Sequence, residues 1–292
     1  MIPRMTALLV LVLVFGVACT RKKRDRLVFQ NKGSDTMVNL AQGWAEAYRE
    51  LSKDAAVAVT GGWSGTGIAA LLNGTVDIAN SSRAIKPEEA KKAKEATGKD
   101  VVGSVVALDA LAVFVHKDNP LKEASLEDLK CIYGEGGKCE KWESLGVKGV
   151  AGCSGGEIIR VSRQSNSGTY QYFREAIMGD KGDFKLGSRD MNGSKDVVDL
   201  VEKTPCAIGY TGMGYLNPNV RAVCISKSKG VRCVLPSVET VLDKTYPIAR
   251  ELYMYTLGEP AGALKAYLDW IKGSVGQKLV SEMGYVPFRK AK

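Results

Sequence analysis

Ile158-Ile159-Arg160-Val161-Ser162-Arg163-Gln164-Ser165-Asn166-Ser167-Gly168-Thr169 reads as a strand that runs into a tight polar loop, and Tyr170 to Met178 continues as a helix. The first four N–H groups of a helix have no internal partner, and the helix dipole places partial positive charge there. Glycine lets the backbone approach a ligand closely, and Ser or Thr adds a hydroxyl beside the free N–H groups. The same construction occurs twice more. Leu27-Val28-Phe29 leads to Gly33-Ser34-Asp35-Thr36, and Ala55 to Thr60 leads to Gly62-Trp63-Ser64-Gly65-Thr66-Gly67. Three such turns, with Arg163 four residues ahead of Ser167, point to a pocket for a small tetrahedral oxyanion.

The rest of the chain repeats this alternation. Val38, Ala41, Ala45, Tyr48 and Leu51 recur at helical spacing, Val76-Asp77-Ile78 is a short strand, and Pro87 opens a polar helix to Thr97. Ser125-Leu126-Glu127-Asp128 is a capping-box start. The apolar run Val101 to Val115 suits a buried strand crossing between two lobes, and Tyr253 to Leu257 suits its return. Leu264, Tyr267, Leu268 and Ile271 share one helix face. Alternating strands and helices predict an α/β protein with open, largely parallel sheets.

At 292 residues the chain can form two lobes, each with its own core. The formal charge of +9 does not mark a nucleic-acid binder, because Arg21, Lys22, Lys23, Arg24 and Arg26 cluster near the N-terminus and other lysines alternate with acids on helix faces. Arg4 precedes an apolar run from Ala7 to Ala18, the length of a signal-peptide core. Gly16-Val17-Ala18-Cys19 resembles a bacterial lipobox, with Gly16 where such boxes usually carry leucine. The expectation is a signal peptide over 1–18, lipidation of Cys19 and a basic tether over 19–26.

Without Cys19, an even set remains: Cys131, Cys139, Cys153, Cys206, Cys224 and Cys233. No pair has CxxC spacing, and the single histidine, His116, makes a zinc site a poor reading, so disulfides in an oxidising compartment are expected. With Ser228-Lys229 as a turn, Cys224 and Cys233 face each other across a hairpin. Cys131 and Cys139 bracket a glycine-rich loop, which leaves Cys153 for Cys206.

Gly33-Ser34-Asp35-Thr36-Met37, Gly61-to-Gly67, Arg163-to-Thr169, Thr204-Pro205-Cys206-Ala207-Ile208-Gly209-Tyr210 and Gly284-Tyr285-Val286-Pro287 stand in an order and spacing that resemble the PstS-type phosphate-binding proteins feeding ATP-driven importers. The resemblance spans roughly Gln30 to Pro287. It implies a type II periplasmic-binding-protein fold, with two open, mostly parallel sheets joined by a two-strand hinge. Lobe boundaries would fall at 27–112 plus 253–292 for one lobe and 113–252 for the other. It further implies a monomer without cofactor in the periplasm of a Gram-negative-type bacterium, delivering inorganic phosphate to ABC permease subunits. By resemblance, Ser34, Asp35, Thr36 and Met37, Ser64 and Gly65, Ser82 and Arg83, and Arg163, Ser167, Gly168 and Thr169 surround the ligand. Thr36 offers a hydroxyl, Met37 an N–H, Arg163 a guanidinium, and Ser167 to Thr169 a nest of donors.

Two positions depart from the best-studied branch. Ser82 stands where an aspartate accepts the phosphate's proton and excludes sulfate, which leaves Asp35 as the nearest acceptor by sequence. Ser165 stands where some relatives carry a carboxylate that orients the arginine. Ser64 and Ser167 also fit plain N-caps, and Arg83 fits either a ligand contact or an ion pair across the cleft. An enzyme is disfavoured, because Ser167 has no Gly-x-Ser-x-Gly elbow and no Walker-type loop occurs. A sensor or receptor for sulfate or molybdate is the alternative of the same chemistry, and a secreted hydrolase the less favoured one.

Overall fold

The computed structural model describes residues 26–288; the expected signal peptide, Cys19 and most of the basic tether lie outside them. Strands β1 (Leu27–Gly33), β2 (Ala55–Thr60) and β3 (Ile78–Ser81) are parallel, and α1 (Val38–Leu51) and α2 (Ser64–Leu72) connect them. A polar helix α3 (Pro87–Thr97) leads to the long β4 (Val101–His116). Next come β5 (Glu123–Ser125), α4 (Leu126–Tyr133), β6 (Ile159–Arg163) and α5 (Gly168–Met178). The second parallel group adds β7 (Arg189–Met191), α6 (Ser194–Glu202) and β8 (Ala207–Gly212). Then β9 (Val220–Ala222), β10 (Cys224–Ser226), α7 (Val238–Leu242), β11 (Ala249–Leu257), α8 (Gly262–Lys272) and α9 (Ser274–Glu282) complete the described chain.

The strand order is β2-β1-β3-β11-β4-β8-β6-β7, with β9 also on β4. The two parallel halves are thus not separate sheets. They share β4, whose residues 101–110 pair antiparallel with β11 and whose residues 111–116 pair antiparallel with β8 and β9. From Asp109 to Val115 every β4 residue is buried, as expected of a strand covered on both faces. The return strand begins at Ala249, four residues earlier than its apolar run suggests. Arg250 and Glu251 precede that run but pair in register with Asp109 and Leu108.

Local chemistry sets the element ends. In α3, Pro87 occupies the first turn, Glu89 accepts the Lys86 N–H at 2.9 Å, and Gly98 at φ 70° stops the helix. Ser125 Oγ accepts the Asp128 N–H at 3.1 Å while Asp128 accepts the Ser125 N–H at 3.0 Å, the reciprocal capping predicted from sequence. In α1 the buried face is Leu40, Ala41, Trp44 and Tyr48; Leu51, placed on that face by spacing alone, is 63% exposed. The bulky Leu40-Trp44-Tyr48 row turns the helix onto Tyr267, Leu268 and Ile271 of α8, and Trp44 Nε1 donates to the Gly276 carbonyl at 2.8 Å. Each such large buried side chain contributes roughly 1.5–3 kcal/mol. The other lobe packs Leu129, Ile132 and Tyr133 of α4 and Phe173 of α5 against Val113, Ile208 and Tyr210.

All three expected disulfides form, with Cα–Cα distances of 5.3 Å for Cys131–Cys139, 5.1 Å for Cys153–Cys206 and 5.3 Å for Cys224–Cys233. The register of the last pair differs from expectation. Val231 N donates to the Ser228 carbonyl and Gly230 takes φ 76°, so the turn centres one residue later. Ile225 then pairs with Val234, which leaves Cys224 and Cys233 diagonal rather than opposite. Cys153 and Cys206 are 53 residues apart in sequence, and replacing both by Ser is expected to cost about 4 kcal/mol by chain-entropy arithmetic. Urea unfolding of oxidised wild type and variant measures it; equal stabilities would show that this bridge does not constrain the unfolded chain.

Candidate functional site

The three glycine–hydroxyl turns converge between the lobes. The first leaves β1 through Gly33 at φ 145°, where an added Cβ would lie 2.2 Å from the Asn80 carbonyl oxygen. Ser34 N donates to that same oxygen at 2.9 Å, which aims residues 35–37 at the opposite lobe. The Met37 N–H, expected to face the ligand, donates instead to the Ser34 carbonyl at 3.1 Å. The second turn places buried Ser64 at the start of α2, its Oγ accepting the Ser82 N–H at 3.1 Å. In the third, Ser167 Oγ caps α5 by accepting from Thr169 N at 3.2 Å and Tyr170 N at 3.4 Å. Capping and anion binding draw on the same free N–H groups.

Across the cleft the contacts are direct. Thr36 Oγ1 lies 2.8 Å from Thr169 Oγ1, and Gly65 N donates to the Asn166 carbonyl at 3.2 Å. Gly168 packs so closely that a Cβ there would be 2.2 Å from Ser64 Oγ and 2.7 Å from Ser82 Oγ. Tyr215 Oη donates to the Asp35 carbonyl at 2.8 Å, and from the same lobe as Thr36, Tyr285 Oη donates to the Thr36 carbonyl.

Arg163, with 1% of its side chain exposed, ends β6 inside this cluster. Its Nη1 donates to Ser194 Oγ at 2.9 Å, and its Nη2 to the Asn192 carbonyl at 2.9 Å and to Asp35 Oδ2 at 3.3 Å. Asp35 Oδ2 also accepts the Ser194 N–H, at 2.6 Å, at the start of α6. The orienting carboxylate missing at Ser165 is therefore supplied by Asp35 from the opposite lobe. Burial pulls the Arg163 pKa below its ordinary value, and the Asp35 charge opposes that fall. Arg163 Nε and Ser34 Oγ are buried without a protein partner, which suits donors kept for a ligand.

Asp35, expected to accept a ligand proton, has Oδ2 engaged by Arg163 and Ser194 and so also ties the two lobes together. Arg83 forms an ion pair, but within its own lobe. Its Nη1 and Nη2 donate to Glu89 at 2.8 and 2.7 Å, so the guanidinium braces the start of α3. Burial pushes the Glu89 carboxyl up, but the Arg83 and Lys86 hydrogen bonds outweigh it and hold the group below its usual value.

Sequence reasoning missed Arg250 and Ser194. Arg250 sits in β11 with Nε and Nη2 donating to Asp109 Oδ2 at 3.0 and 2.7 Å, both side chains essentially inaccessible. Its signal was present, because Asp109 is the single charge in the Val101–Val115 run and buried charges need partners. Ser194 carried the same cue as the other turns, because Gly193-Ser194 follows β7 and opens α6.

A fold of two α/β lobes with a hydroxyl-rich cleft is that of the periplasmic binding proteins. The sequence profile of the PBP superfamily domain matches residues 21–274, and the chain belongs to this superfamily. Its relatives include the phosphate-binding protein PstS of Pseudomonas aeruginosa, 34% identical over 263 residues that cover 87% of this chain and 81% of the relative. PstS of Bacillus subtilis is 33% identical and covered to 79%, with 87% of this chain aligned. Among solved structures, a putative phosphate ABC transporter substrate-binding protein from Clostridium perfringens with bound phosphate matches at a TM-score of 0.78 and 27% identity, over 90% of this chain and 100% of that one.

Proposed function

We propose that this protein is a receptor, not an enzyme, that binds inorganic phosphate between its lobes outside the cytoplasm and hands it to the membrane subunits of an ABC importer. The observation carrying this reading is the convergence of the Thr36, Ser64, Ser82 and Thr169 hydroxyls on the start of α5 between the lobes. Kinship with PstS proteins and likeness to the phosphate-bound structure support the same ligand. Arg163 and Arg250 are each matched by an aspartate, so fixed dipoles carry much of the anion's stabilisation, and these need little reorganisation on binding. Lobes divided near residue 112 of β4, with the return along β11, would close on the anion and form the surface that the importer reads. Three disulfides fit an exported protein, and Cys19 is the expected lipid anchor. Among the described residues, no helix is long and apolar enough to cross a membrane.

Discrimination against sulfate needs an acceptor for the phosphate proton. Serine hydroxyls accept as well as donate, so Ser64 and Ser82 can fill that role where a carboxylate is absent. Asp35→Asn is then expected to weaken phosphate binding about tenfold, through loss of the charge-assisted contact to Arg163, and to leave the phosphate-to-sulfate ratio unchanged. Competition calorimetry tests this, and a narrowed ratio would return the acceptor role to Asp35. As a receptor, the protein should be stabilised thermally by phosphate through mass action. Release of phosphate from a phosphomonoester at an enzyme-like rate would refute the reading.

A further inference from the structure

Arg250 has no part in the ligand set read from the sequence, yet it touches that set from both sides. Its guanidinium carries five N–H donors. Asp109 Oδ2 takes the Nε hydrogen and one from Nη2. On the opposite edge Nη1 donates to the Ser82 carbonyl at 3.2 Å and to Thr169 Oγ1 at 3.0 Å, and Nη2 donates to Thr36 Oγ1 at 3.4 Å. The Thr36 and Thr169 hydroxyls are among the groups that converge on the anion position, and Ser82 is a third residue of that set, met here through its carbonyl. The Tyr172 ring, 5.7 Å from the guanidinium carbon, covers one face. The cation is therefore fixed by Asp109 and by packing, with its remaining hydrogens aimed at the cleft.

We propose that Arg250 is a second anion-contacting cation, presented from strand β11 and oriented by Asp109. The inference rests on the oxyanion reading of this cleft. When an anion enters between the lobes, its oxygens take the Nη1 and Nη2 hydrogens that now reach Thr169 and Thr36. Both hydroxyls then turn to donate to the anion. Because β11 pairs with β4 where the chain passes between lobes, the same contact ties the crossing strands to occupancy. Asp109 is a positioning residue in this scheme. Burial pushes its carboxyl up and Arg250 holds it down, so it serves as a fixed acceptor rather than a ligand group.

The test removes both charges together, because Arg250→Ala alone strands Asp109 in the interior. In Arg250→Gln/Asp109→Asn, phosphate titrated by calorimetry is expected to bind about a hundredfold more weakly, with the urea midpoint close to wild type. Arg250→Lys keeps the charge and is expected to lose about tenfold, because one ammonium cannot serve Asp109 and the anion as a fork does. If the double variant does not fold, the Lys variant decides the question. Across neutral pH, where phosphate passes from monoanion to dianion, the affinity gain should be smaller in the double variant than in wild type. A purely structural arginine would leave that pH profile unmoved. Wild-type affinity and pH profile in the double variant, or wild-type affinity in Arg250→Lys, would overturn the proposal while the phosphate reading stands. A wild type that binds no phosphate would overturn both.

Discussion

Gly168→Ala is expected to abolish high-affinity phosphate binding in a protein that still folds. The added Cβ would lie 2.2 Å from Ser64 Oγ, 2.8 Å from Ser64 Cβ and 2.7 Å from Ser82 Oγ, and all three atoms belong to the opposite lobe. Gly168 is also the first residue of α5 and lies outside the left-handed region, so alanine suits its own backbone. The clash therefore falls on closure and not on folding. Overpacking of this kind costs about 3 kcal/mol, roughly 150-fold in affinity. Calorimetry with phosphate should show that loss, and small-angle scattering should show no compaction on adding ligand. The urea midpoint should remain at the wild-type value. Wild-type binding by this variant would mean that the close approach of α5 to Ser64 is absent from the liganded state.

Arg163→Ala is the second large effect. The side chain is buried, and its fork holds Ser194 Oγ, the Asn192 carbonyl and Asp35 Oδ2 at once, joining the lobes through the Asp35 contact. Truncation removes a cation from the ligand and leaves Asp35 facing the cleft without its counter-charge. Losing one member of a buried charge pair costs about 3–5 kcal/mol, and phosphate affinity should fall by that amount. Arg163→Lys should recover only part, because an ammonium is a point charge and cannot span three acceptors in a plane. Binding isotherms of both variants beside wild type decide this. An Arg163→Ala protein with unchanged affinity would show that the arginine is only a structural tie.

Most of this architecture was legible because its signals are local. Glycine before hydroxyl before a helical pattern located all three cleft turns, Pro87 marked the start of α3, and Ser125 with Asp128 fixed the start of α4. Disulfide partners followed from loop positions, even though the hairpin register was shifted by the Gly230 turn. What sequence did not reveal depends on contacts between distant segments. Asp35 and Arg163 are 128 residues apart, so nothing in either neighbourhood announced their pairing. Asp109 and Arg250 are 141 residues apart, and the partner of the one charge in the Val101–Val115 run shows only when β4 and β11 lie side by side. Arg83 was misdirected for the opposite reason, because its partner Glu89 lies only six residues on and needs no cleft at all.

Titration calorimetry of the purified, oxidised protein with phosphate, in competition with arsenate, sulfate and molybdate, is the most direct test of the central claim. One phosphate should bind per chain, arsenate should compete, and sulfate at a hundredfold excess should not displace it. The phosphate should also be recovered unchanged after incubation with the protein. No binding of phosphate, or binding of sulfate with equal affinity, would contradict the assignment of this cleft as a phosphate receptor site.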